Sequence, residues 1–80
     1  MMATLLLFGR LAEQAGWRQK SIALPADVTD IAGLRAHLAA ATPEIAAIST
    51  RAAVNRALVS ETALISDNDE IAFMPAMIGG

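Results

Sequence analysis

Cysteine is missing from the 80 residues of this chain. Its absence excludes disulfide staples, a thiolate nucleophile and any Cys-ligated metal centre. Histidine occurs once, as His37, with no second ligand or nucleophile near it in sequence, so neither a zinc site nor histidine catalysis is expected. Aromatics are limited to Phe8, Trp17 and Phe73, and aliphatic packing must therefore carry most of the stability. Positive charge is also scarce: 6 Lys and Arg against 8 Asp and Glu give a net charge of −2. The basic residues are scattered, whereas a phosphate-binding surface needs them clustered, so no nucleic-acid partner is expected. The run Leu5-Leu6-Leu7-Phe8 is too short to span a membrane and has neither a basic leader nor a small-residue cleavage site. A cytoplasmic location without membrane contact is the expectation.

What the chain does have is a globular composition, 55% hydrophobic, with room for one small core. Thr4 to Gly9 is a short apolar run that reads as a strand. Arg10 to Ala15 contains good helix formers and is followed by Gly16, the residue type that favours a left-handed C-cap, so a short helix fits there. Lys20 to Leu24 reads as a second strand, ended by Pro25. Thr29 or Asp30 can cap a main helix running from Ile31 to about Ala41, with Ile31, Leu34, Leu38 and Ala41 as its buried stripe and Arg35 and His37 directed towards solvent. Thr42-Pro43 stops that helix, and Glu44 to Ile48 can form a further turn. Ala52 to Asn55 and Leu58 to Ser60 read as brief strands around Asn55-Arg56, Asp67-Asn68-Asp69 as a polar turn, and Glu70 to Met74 as the last strand. This order predicts an α+β fold, a mixed sheet covered on one face by one helix through a right-handed crossover.

Such a sheet leaves its other face open, and an open face should be polar at alternate positions. These strands are apolar on both parities. Leu5 and Leu7 oppose Leu6 and Phe8; Ile71 and Phe73 oppose Ala72 and Met74. Either the strands are buried on both sides within their own domain, or a partner protein supplies the second cover. One helix and 80 residues offer little for two faces, which favours the partner.

Beyond the last strand, Pro75-Ala76-Met77-Ile78-Gly79-Gly80 finds no segment left to pair with and is expected to project as a flexible tail. Two residues without a Cβ let a backbone enter a narrow slot in another protein. A carboxylate at such an end is a poor electrophile, but attachment of AMP converts it into a mixed anhydride that sulfur or an amine can attack.

Several segments in order carry a resemblance: Leu7-Phe8 opening into Leu11-Ala12-Glu13-Gln14-Ala15-Gly16, Leu34-Arg35-Ala36-His37-Leu38, Ala53-Val54-Asn55-Arg56-Ala57-Leu58-Val59, and Asp67 to Pro75 followed by Gly79-Gly80. Together they resemble the small, sulfur-carrier subunit of molybdopterin synthase, within the ubiquitin-like sulfur carriers. The resemblance implies a β-grasp domain over residues 1–75 and a tail over residues 76–80. It implies that an activating enzyme adenylates the carboxyl of Gly80 with ATP, next to Gly79, and that a sulfur donor then converts it to a thiocarboxylate. It further implies delivery of that sulfur to a cyclic pyranopterin phosphate in the large synthase subunit, as a heterotetramer, with no turnover by this chain alone and no cofactor or metal bound to it. Partner contacts implied in this way are Phe8, Leu58, Met74, Pro75, Met77 and Ile78. Two positions depart from the family pattern: Met74 stands where an aromatic is frequent, and Pro75-Ala76 where two prolines are. Methionine adapts to an aromatic-sized hollow, so the docking expectation holds.

Other readings stay open from sequence. The chain could carry sulfur for another product such as the thiazole of thiamin, or it could be a protein tag or binding module. The acidic group Asp67, Asp69 and Glu70 is too small and wrongly spaced for a calcium loop and reads as a solvated turn. Arg10, Arg35, Arg51 and Arg56 either steer the chain towards acidic partners or keep it soluble.

Overall fold

The apolar run near the start forms β1 (Ala3–Leu7) in the computed structural model, which describes residues 2–46 and 48–76. β1 ends where Gly9, at φ 57° and ψ −132°, turns the chain into α1 (Arg10–Ala15). Gly16 closes α1 in the left-handed region at φ 85°, its N–H donating to the carbonyl of Ala12 at 2.9 Å, as its position in the sequence predicts. β2 (Gln19–Ile22) is shorter than the run to Leu24 suggests. Its pairing with β1 stops at Ala3 opposite Ile22, where β1 itself begins.

The main helix α2 (Ile31–Ala41) has the predicted bounds. Asp30 caps it, with a carboxylate oxygen accepting from the N–H of Gly33 at 2.8 Å. Ile31 and Leu34 are buried and Leu38 is half-buried, but Ala41 is exposed, as are its neighbours Ala40 and Pro43 at that end of the helix. His37 lies in solvent as expected. Arg35 does not. Its guanidinium donates to both carboxylate oxygens of Glu61, at 2.9 and 2.7 Å, and to the Thr50 hydroxyl, and it lies 5.1 Å over the Phe73 ring. A planar fork with several donors can satisfy all these partners at once, which a sequence reading of helix faces cannot foresee.

After α3 (Pro43–Ala46), β3 (Thr50–Val54) and β4 (Ala57–Val59) form a hairpin, and β5 (Glu70–Pro75) completes a five-stranded sheet in the order β2-β1-β5-β3-β4. β1 and β5 run parallel at the centre; the other pairs are antiparallel. β5 accommodates Pro75 because its parallel partner has already ended, with Leu7 opposite Phe73, so the missing N–H leaves no acceptor waiting. Leu5, Leu7, Ile71, Phe73 and Ala52 point to the helix side, where they meet Leu11, Ile31 and Leu34 in the core. This is the mixed sheet over one helix that the element order predicts, in the β-grasp arrangement that the resemblance implies.

The polar turn before β5 is tied down by Asp69. Its carboxylate accepts from the Asn55 side chain at 3.0 Å and from the Ser66 N–H at 2.8 Å, and these bonds, Asn55's first, hold its carboxyl below the usual aspartate range. The β3–β4 turn is less settled. Asn55 and Arg56 both have positive φ, 51° and 72°, as a two-residue hairpin of this hand requires. Asparagine tolerates that region, but arginine pays a Cβ clash. Arg56→Gly is therefore expected to stabilise the fold by about 0.5–1 kcal/mol, read as a raised midpoint in urea unfolding. The ion pair lost to Glu70, at 3.6 Å on the surface, is worth too little to reverse the sign.

Candidate functional site

β-strand alternation places Leu6 and Phe8 of the first strand region on the face away from the helix, and the parallel register sets Ala72 opposite Leu6 on that same face. The antiparallel registers bring Ala53 opposite Ala72, Leu58 opposite Ala53, and Arg51 opposite Met74. The result is an open hollow of 460 Å³, walled by Leu6, Phe8, Leu58 and Met74 and floored by Ala53 and Ala72. Arg56 and Glu70 stand at its rim. Phe8 is 47% exposed and Leu58 61% exposed, although both are large and apolar. The two alanines are only 5% and 8% exposed because the taller side chains around them shade the floor. A concave apolar patch with a charged rim has the layout of a protein interface, with a core to desolvate and a polar border.

Of the predicted site residues, the structure gathers Phe8, Leu58 and Met74 into this hollow. Pro75 shares the parity of Phe73 and belongs to the helix side, where a Cβ built on Gly9 would come within 3.3 Å of its ring. It sets the exit of β5 and does not line the hollow. Met77, Ile78, Gly79 and Gly80 lie outside the described residues. Leu6, Ala53 and Ala72 join Phe8, Leu58 and Met74 there, beyond the contacts that the resemblance implies. Their parity was available in sequence, but the strand neighbours that make them one surface were not.

A second hollow, of 440 Å³, opens on the helix side between α2, the α3 region and the sheet. Leu11, Leu38, Ile45, Ile48 and Phe73 make it apolar, and Thr50 and the Arg35–Glu61 pair stand at one end. The hydrogen bonds from Arg35 hold the Glu61 carboxyl below the usual glutamate range. Among the described residues there is no group of three metal-ligating side chains, and no helix is long and apolar enough to cross a membrane. Past β5, the Ala76 N–H donates to the carbonyl of Ser49 at 2.9 Å.

The model of the ThiS family matches residues 5–80. Among solved structures, subunit 1 in the complex of subunits 1 and 2 of molybdopterin-converting factor from Helicobacter pylori is 25% identical, with full coverage of both chains and a TM-score of 0.66. Small archaeal modifier protein 1 from Haloferax volcanii is 22% identical, also with full coverage of both chains, at a TM-score of 0.79. The Haloferax volcanii HVO 2177 protein is 17% identical at a TM-score of 0.85, over 100% of this chain and 87% of that one. No curated protein matches the chain.

Proposed function

The chain belongs to the ThiS family of ubiquitin-like sulfur carriers, and from that premise we propose that it delivers sulfur for molybdopterin synthesis from the C-terminal carboxylate of Gly80. The observation that carries the reading is the hollow of Phe8, Leu58 and Met74 on the uncovered sheet face, next to a strand whose end leads directly into the tail. Such a face offers a docking surface for a large subunit while leaving the tail free to reach into it. The full-length likeness to subunit 1 of the Helicobacter pylori complex supports that kind of partner.

The chemistry balances in three steps. Attack of the Gly80 carboxylate on the α-phosphate of ATP, in an activating enzyme, forms an acyl adenylate and releases pyrophosphate. A sulfur donor at the sulfide level then attacks the acyl carbon; the C–O bond to phosphate breaks, AMP leaves and a thiocarboxylate remains. In the third step the thiocarboxylate sulfur bonds to a side-chain carbon of the pyranopterin precursor as a C–O bond at that carbon breaks, its oxygen leaving as water or with the phosphate. Water then attacks the acyl carbon, the acyl C–S bond breaks, the sulfur stays on the pterin and the carboxylate returns. Two such deliveries make a dithiolene. This chain contributes the acyl group and the docking surface; the groups that bind ATP and the pterin belong to its partners. Molybdenum-enzyme activity should return when the gene is supplied to a strain lacking its own molybdopterin synthase small subunit. Rescue of a thiamin auxotroph instead, with molybdoenzymes still inactive, would assign the sulfur to a thiazole.

A further inference from the structure

Arg56 occupies a place in the β3–β4 turn that glycine would fill with less strain, since its φ of 72° brings the Cβ against the backbone. Its contacts within the chain do not account for an arginine there. The side chain is 87% exposed, and its ion pair with Glu70 spans 3.6 Å at the surface, where such pairs contribute little. Strained backbone positions cluster where a side chain is needed for function, and Arg56 stands at the rim of the open-face hollow. The charge around that hollow also runs against the charge of the whole chain. Arg51, opposite Met74, and Arg56 lie at the two ends of β3 on the open face. Glu70, opposite Thr4, lies on that face too, whereas Lys20, opposite Leu5, has the parity of the helix side. Two arginines against one glutamate give the open face a charge of +1, on a chain whose net charge is −2. Among the described residues Arg51 has no carboxylate partner.

We infer that Arg56 is a specificity-determining residue of the docking surface: its guanidinium meets a carboxylate that the large subunit presents at the border of its apolar contact, and Arg51 extends that match along β3. A planar fork binds a carboxylate through two parallel hydrogen bonds, which sets the angle of docking as well as the choice of partner. Charge at a rim acts chiefly on the rate of encounter and on which partners are rejected. The inference rests on the open face being the docking surface proposed above, and it adds the sign of charge that the partner must carry.

Stopped-flow association of the full chain with the large subunit tests it, alongside urea unfolding of each variant. Arg56→Gly should raise the urea midpoint and yet slow association about threefold at about 0.1 M salt, whereas a purely structural role would move stability and association together. Arg56→Glu should slow association about tenfold, and Arg56→Lys, which keeps the charge, should retain most of the rate. The differences should shrink at about 1 M salt, where the Debye length has fallen from roughly 10 to 3 Å. Lys20→Glu makes the same change in net charge on the other side of the sheet and should leave the rate within about twofold. Association that does not slow on Arg56→Glu in a chain that otherwise docks, or an equal loss from Lys20→Glu, overturns this inference alone. Failure of the unmodified chain to bind the large subunit overturns it together with the docking reading.

Discussion

Deleting Gly80 is expected to abolish thiocarboxylate formation while leaving the fold's stability unchanged. The described sheet ends at Pro75 and the core residues among those described all lie before it, while a terminal glycine has no side chain to bury. The shortened chain still ends in a glycine carboxylate, that of Gly79, but its position is one residue, roughly 3.3–3.6 Å, short of the adenylating centre. Displacing a reacting group by only about 1 Å costs on the order of 10²-fold in rate, so a full residue should take the reaction below detection. The measurement is intact mass after incubation with the activating enzyme, ATP and a sulfur donor. The complete chain should show replacement of one oxygen by sulfur at Gly80, and the truncated chain none. Equal conversion of both would mean that the reach of the carboxylate does not matter, and the proposed chemistry at Gly80 would fail.

The second large effect concerns the open face. Phe8→Asp places a carboxylate where docking would strip away water, and such a charge has no partner in a hollow of Leu6, Leu58 and Met74. Affinity for the large subunit should fall by about 30- to 1,000-fold, the range seen when a central interface anchor worth roughly 2–4 kcal/mol is lost. Folding should hardly respond, since Phe8 is already 47% exposed in the free chain. Leu64→Asp supplies the contrast. Leu64 is 79% exposed and more solvated than any other exposed large apolar residue among those described, yet it lies outside the hollow, and its replacement should leave affinity within twofold or so. Calorimetric titration of both variants against the large subunit decides the matter: normal binding by Phe8→Asp, or equal loss in both, would remove the hollow as the docking surface.

The two faces of the sheet differ. One is closed by α2 over the core; the other keeps large apolar side chains exposed. Arg51 beside Met74 and Arg56 at the rim put two of the scattered arginines on that open face, while Arg35, on α2, clamps the loop at Glu61. The arginines thus divide between the open face and the scaffold, a distinction invisible in their spacing.

Local features were legible because their causes are local. Gly16 ends α1 through its own φ, Asp30 caps α2 through an oxygen three residues from the N–H it accepts, and Asn55-Arg56 turns the hairpin through two positive φ values. The apolar character of the second face was readable too, since strand alternation alone puts Phe8 and Met74 opposite the core-facing Leu7 and Phe73. The sequence by itself therefore determined the elements, their order and the presence of apolar side chains on both sheet faces. Tertiary structure alone decided that β1 lies parallel to β5, that Leu6, Ala53 and Ala72 join Phe8, Leu58 and Met74 in one hollow, that Arg35 is held by Glu61 and Thr50, and that β5 ends beside a second cavity. Those outcomes depend on pairings between segments far apart in the chain, whose register is fixed by the summed burial of many side chains and not by any residue's own preference.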